Sequence, residues 1–136
     1  MAKLDISPLV NAVVRLDEGF TRYQQDTSDT QIRDGLIQRF EFTYEISHKI
    51  LKRYLESISA NPTEYDGMSF QDLIRSANEK SLLIGNWLDW KQYREMRSRT
   101  SHTYDENTAI VVVEGIPKFL NEVKFLKDKL QEHLHD

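Results

Sequence analysis

The sequence predicts an all-α fold, an up-and-down four-helix bundle with one additional short helix. Three observations predict it. Apolar residues recur at three- and four-residue spacing through most of the chain, the connections between periodic segments are short, and 136 residues suffice for one hydrophobic core. No internal repeat, low-complexity tract or linker divides the chain, so a single domain over residues 1–136 is expected. A content of 29% charged and 39% hydrophobic residues is that of a chain that folds, away from the composition of disorder.

Ser7-Pro8 reads as a helix start, with the serine oxygen capping free N–H groups and proline at the first helical position. Leu9, Val13, Leu16, Phe20 and Tyr23 then fall on one stripe, and the polar run Gln24 to Asp29 ends the element. From about Thr30 to Ser59, the set Ile32, Leu36, Phe40, Tyr44, Leu51, Tyr54, Leu55 and Ile58 keeps helical period, giving the longest predicted helix. Ala60-Asn61-Pro62-Thr63 and Asp66-Gly67 mark a loop. Ser69-Phe70-Gln71-Asp72 resembles a capping box with Asp in place of Glu or Gln. The third helix starting there carries Phe70, Leu73, Ile74, Ala77 and Leu82 toward a stop at Gly85-Asn86. A fourth runs from about Trp87 to Ser101 with Trp90, Tyr93 and Met96. A fifth begins near Asp105 and shows Ile110, Val113, Ile116, Leu120, Val123, Leu126, Leu130 and Leu134. Pro117 inside that pattern predicts a kink, or a break near Gly115, because its ring clashes with the preceding turn. The β-branched run Val111 to Val113 would suit a strand, but its neighbours on both sides keep helical period.

Several function classes are set aside at this level. The longest aliphatic stretch, Ala109 to Val113, is far short of the roughly 20 apolar residues a membrane crossing needs. The N-terminus, Met1-Ala2-Lys3-Leu4-Asp5, lacks the apolar run of a signal peptide, and there is no cysteine for a disulfide framework, so a cytoplasmic location is expected. A formal net charge of -4 argues against binding nucleic acid over the whole surface. The charge is uneven, however. Between Trp87 and Tyr104, Lys91, Arg94, Arg97 and Arg99 outnumber Asp89 and Glu95, so one helix of an acidic protein is locally basic. Taken alone, such a run is most simply a solvated face with cations near a helix C-terminus.

The segment Arg97-Ser98-Arg99-Thr100-Ser101-His102-Thr103-Tyr104 gives that helix a sharper reading. It resembles the R-x4-6-H motif of the HEPN superfamily, in the R-x4-H-x-Y form of the HepT toxins, the partners of minimal nucleotidyltransferases. Arg97 matches the motif arginine, His102 the histidine and Tyr104 the tyrosine. The resemblance extends over most of the chain: a short helical bundle with the motif late in it and a long amphipathic helix after it. One position departs, since Ser98 stands where active members often carry Asn; serine keeps a hydrogen-bonding side chain but loses the amide. The resemblance implies a homodimeric, metal-independent endoribonuclease of a type VII toxin-antitoxin pair. Arg97 and His102 would be its catalytic residues, and Lys91, Arg94, Ser98 and Arg99 would gather the RNA or nucleotide. It also implies that the partner nucleotidyltransferase transfers AMP to Tyr104 and silences the toxin. The alternative is a non-catalytic subunit that binds a nucleotide or substrate for a two-component nucleotidyltransferase.

The chemistry suits these residue types. RNA is cut without metal when its 2′-OH attacks the adjacent phosphorus, which needs a proton acceptor, a proton donor and stabilisation of added negative charge. Histidine titrates near neutrality, and the planar donors of arginine match phosphate oxygens. On an uninterrupted helix, however, a separation of five residues puts two side chains roughly 140° apart. Either the helix loosens before His102, or a second subunit completes the site across a two-fold axis. A phosphate added at Tyr104 would occupy the place where RNA phosphate should bind. Without the family context, Tyr104 reads equally well as a boundary tyrosine with buried ring and wet hydroxyl.

Other candidates weigh less. Glu45-Ile46-Ser47-His48 and Glu132-His133-Leu134-His135 share the Glu-x-x-His spacing of di-iron bundles. The second pair lies at the chain end and no matching inward glutamates appear, so no metal and no cofactor are expected. Trp87 and Trp90 could stack bases, but tryptophan at helical spacing more often packs, and a dimer interface is the favoured reading. Ser98, Thr100 and Ser101 lack an acidic partner at triad spacing, and no glycine-rich phosphate loop exists.

Overall fold

The computed structural model describes residues 4–134, which form helices and turns with no strand among them. The first helix, α1 (Ser7–Gln25), starts one residue earlier than a serine cap would allow. Ile6 occupies the cap position without a side-chain bond, while Ser7 donates its N–H (2.9 Å) and its hydroxyl (2.7 Å) to Asp5 Oδ1. A carboxylate is the stronger acceptor, so Asp5 takes the role expected of Ser7. Those two bonds, the hydroxyl's first, hold the Asp5 carboxyl below its ordinary range.

A short turn returns the chain into α2 (Thr30–Ile58), where Asp29 accepts from the N–H groups of Gln31 (2.9 Å) and Ile32 (3.1 Å). A single 3₁₀ turn (Pro62–Tyr65) leads to the short α3 (Phe70–Glu79), capped by Ser69, whose hydroxyl accepts from Asp72 N–H; this is the serine half of the expected capping box, while the Asp72 carboxylate pairs with Arg75 instead. The helix then stops well before Gly85. Leu82 N–H bonds Ala77 C=O (3.1 Å) and Ser81 N–H bonds Asn78 C=O (3.0 Å), the paired closure of a Schellman motif. Ser81 takes the left-handed conformation there, at φ 58°. Leu82 and Leu83 remain buried in the connection. Asn86 is accordingly not a stop signal. It caps α4 (Trp87–Arg99) in a reciprocal box with Asp89.

After a 3₁₀ turn (Thr100–His102), Asp105 accepts from Asn107 N–H (2.9 Å) and Thr108 N–H (3.4 Å) at the start of α5 (Glu106–Leu134). The break expected near Gly115 does not occur, and α5 runs through Pro117. Losing one backbone bond there costs about 3 kcal/mol. Burial of Val112, Val113, Ile116, Phe119, Leu120 and Val123 on both sides of the proline offsets it. Gly115 serves packing instead: the Met96 thioether of α4 lies over it, and a Cβ there would come 2.5 Å from Met96 Sδ and make that side chain shift.

Helices α1, α2, α4 and α5 make the bundle, with α3 as the extra short element against α2 and α4. At the centre Phe40, Tyr44, Trp90, Tyr93 and Phe119 pack mostly edge to face, Phe40 and Phe119 at 4.9 Å between centroids. Trp90 is fully buried, which corrects its expected place at a dimer interface; Trp87 is half-buried against Phe70. A buried carboxylate sits beside this cluster. Glu122 accepts from Ile84 N–H (2.7 Å), Gly85 N–H (2.7 Å) and Trp90 Nε1 (3.1 Å), so one side chain of α5 fixes the α3–α4 connection and the core tryptophan. A Cβ on Gly85 would come 2.7 Å from Glu122 Oε1, which explains glycine there. No described helix is long and apolar enough to cross a membrane.

Candidate functional site

Arg97 projects from the last turn of α4 across to α2. Its Nε donates to Glu45 Oε1 (3.1 Å), its Nη2 donates to the same oxygen, and Glu41 Oε1 lies 3.6 Å from Nη2. On the other side Nη1 donates to Thr100 Oγ1 (3.1 Å), and that hydroxyl donates to Arg97 C=O (2.7 Å). Glu41 and Glu45 are one turn apart on α2, which puts both carboxylates on the face turned to α4. The bond to Glu45 raises the proton affinity of Arg97 further, against a smaller loss from burial. Its side chain remains 30% exposed. Beneath it, desolvation pushes the Tyr44 phenol up to about 12, with Arg94 and Arg97 pulling the other way.

His102 ends the 3₁₀ turn and is exposed. Tyr104 follows at 87% exposure, with its ring edge-on to the His102 imidazole at 6.1 Å. The tyrosine is thus a solvent-facing phenol beside the histidine, with no buried ring. The helix tightens before His102 where loosening was one expectation. A 3₁₀ turn advances about 120° per residue, which leaves Arg97 and His102 roughly 160° apart around the helix axis. Among the described residues no hydrogen bond joins the two side chains.

The other cations divide. Lys91, Arg94 and Ser98 line one shallow cleft of about 190 Å³ with Trp87 and Glu95, while Arg99 is exposed outside it. Lys91, Arg94 and Arg99 take part in no ion pair among the described residues, in contrast to Arg97. His48 packs on Phe70 at 4.4 Å between centroids; burial, then Lys52 and Arg94, push its imidazole toward the neutral form. The Glu45-x-x-His48 pair therefore splits between an arginine and an aromatic ring. His133 lies 6.1 Å from the Tyr54 ring, and His135 is outside the described residues. No group of three or more His, Asp or Glu with metal-holding geometry occurs among the described residues. A cleft of about 950 Å³ between Leu4, Ile6, Val10 and the end of α5 is at the far end of that helix from the motif.

Sequence reading missed Glu41 and Glu45 as partners of Arg97. Their separation from it, 52 residues for Glu45, leaves no local pattern to find; two carboxylates at i, i+4 on α2 were the available signal.

A helical bundle that carries Arg-x4-His-x-Tyr where one helix ends and the next begins is the arrangement that the HEPN resemblance implies. A family model described as "Nucleotidyltransferase substrate binding protein like" matches residues 4–132. A Haemophilus influenzae protein named "Probable ribonuclease HepT" is 42% identical over 98 residues, 72% of this chain and 66% of that protein's length. A solved Haemophilus influenzae structure, described as the fold of a substrate binding domain of a nucleotidyltransferase, is 32% identical. It matches with a TM-score of 0.87 over 93% of this chain and 99% of that one. The chain belongs to this HepT-like, nucleotidyltransferase substrate binding protein family.

Proposed function

We propose that this chain is a HepT-like endoribonuclease that needs no metal, acts as a homodimer and is silenced by AMP transfer from a partner nucleotidyltransferase. One observation carries the reading above others: at the α4–α5 junction an exposed imidazole and a phenol at 87% exposure lie side by side, one short turn past the last turn of α4, which carries Arg97. In the reaction the RNA 2′-oxygen forms a bond to phosphorus as the bond to the 5′-oxygen breaks, leaving a 2′,3′-cyclic phosphate and a 5′-hydroxyl. The 2′-OH proton goes to a base and the departing 5′-oxygen takes one from an acid, the exchange assigned to His102. Arg97 stabilises the charge gathering on the phosphorane oxygens. Lys91, Arg94, Ser98 and Arg99 hold the flanking backbone. Because Arg97 and His102 diverge around the helix, the site is composite, with Arg97 of one protomer meeting His102 of its partner. Exposed Ile110 and Val111 on the first turns of α5 supply apolar surface beside the motif for that contact.

Cleavage of RNA in EDTA by the protein and its loss in His102→Ala, by at least a hundredfold, is the expected result for a proton-transfer residue. Equal cleavage by both proteins, or by neither, overturns the assignment. Incubation with a partner nucleotidyltransferase and ATP should add one AMP mass, which Tyr104→Phe abolishes; a shift surviving that change removes Tyr104 as sole acceptor. A second reading, a nucleotide-binding subunit without turnover, draws on Glu45 and Glu41 already lying against Arg97. It predicts AMP affinity in a protein that leaves RNA intact.

A further inference from the structure

A guanidinium presents two edges that can grip an oxyanion with paired N–H groups, Nε with Nη2 and Nη1 with Nη2. In Arg97 these edges are not equivalent. Nε and Nη2 converge on a single oxygen of Glu45, while Nη1 makes one bond to Thr100. The Thr100 hydroxyl is itself anchored, since Thr100 is a buried residue and its oxygen donates to Arg97 C=O at 2.7 Å. Glu45 is fastened to the middle of α2, a helix that caps firmly at Asp29 and packs along the core. The arginine is therefore gripped from two elements, and the Nη1–Nη2 edge is the one that retains paired capacity. Besides Glu45, the one carboxylate paired with the guanidinium among the described residues is Glu41, at 3.6 Å from Nη2.

We propose that Glu45 is a positioning residue that fixes the Arg97 guanidinium by its Nε–Nη2 edge, so that the Nη1–Nη2 edge meets the RNA phosphate. This rests on the reading of Arg97 as the phosphate-stabilising group. A long side chain at the rim of a helix otherwise samples several rotamers, and donors aimed in advance at developing charge are worth more than donors that must reorganise. Glu45 itself touches no substrate. Being exposed, with 55% of its side chain accessible, it contributes little to folding, so its removal separates orientation from stability.

The test uses the full chain labelled with nitrogen-15, with Arg97 Nε–Hε assigned by its disappearance in Arg97→Lys. In the free protein that hydrogen should exchange with water at least tenfold more slowly than the exposed arginines, and Glu45→Gln should remove the protection. Adding a short 2′-O-methyl RNA, which binds but cannot be cut, should shift the Arg97 Nη signals and leave Nε in place. With cleavable RNA, Glu45→Gln should lower kcat about tenfold with KM changed less than twofold and Tm unchanged, and Glu45→Asp should recover part of kcat. Unprotected Nε in the native protein, displacement of Nε by the 2′-O-methyl RNA, or Glu45→Gln with equal or faster cleavage would each overturn the proposal. A protein that neither binds nor cuts RNA while Nε stays protected removes the ribonuclease reading, and with it this role for Glu45.

Discussion

His48 shows how one residue on the same face of α2 acquires a measurable consequence. Burial against Phe70 disfavours its charged form, and the cations of Lys52 and Arg94 add to that, so its folded-state proton affinity lies below the ordinary value of 6.5. The unfolded chain then binds a proton that the folded one refuses. Stability is full above pH 6.5 and declines as the pH falls from there toward the lowered folded value, by at most about 1.4 kcal/mol per pH unit for one proton. Urea midpoints from pH 7.5 to 5 should fall in the native protein and flatten in His48→Gln. At this scale the sequence was partly legible. Arg97, His102 and Tyr104 came from a motif with local spacing, and the structure leaves His102 and Tyr104 exposed beside each other. Glu45 stood in view only through its Glu-x-x-His spacing to His48, because its actual partner is 52 residues away.

At the scale of elements, periodicity served the long helices and failed at ends governed by single backbone conformations. Helix α2 ends at Ile58, within a residue of the predicted stop at Ser59, since an amphipathic stripe carries its own length. Helix α3 ends at Glu79, several residues before the glycine that signals a stop, because Ser81 adopts φ 58° with no residue-type cue. The closure survives because Leu82 is drawn fully into the core behind it, beside buried Ala77. Gly85, conversely, takes no positive φ; its smallness admits the Glu122 carboxylate, a partner no local pattern shows. A left-handed serine costs about 1 kcal/mol relative to glycine. Ser81→Gly should therefore stabilise the protein by about 0.5–1 kcal/mol, read as a rise in the urea midpoint at constant m. An unchanged or lower midpoint would mean that the turn keeps another conformation in solution.

For the whole molecule, the order and number of helices followed from apolar spacing and short connections, while the placement of the motif between α4 and α5 determines what one chain can do by itself. The 3₁₀ turn sends Arg97 toward α2 and leaves His102 and Tyr104 outward, so the two catalytic candidates diverge within a protomer. If Arg97 of one protomer works with His102 of the other, neither Arg97→Ala nor His102→Ala dimers have an intact site. In a heterodimer of the two variants, one site combines both mutated positions and the other combines both native residues. Random reassortment makes half of the dimers heterodimers, each with one working site, so mixing the inactive variants should restore about one quarter of the native rate. The measurement is RNA cleavage after mild dissociation and re-association of equimolar variants, with dimer content read by light scattering. A site built within one protomer gives no recovery in such a mixture. Recovery near one quarter therefore counts the intact sites and also identifies which protomer supplies each side chain.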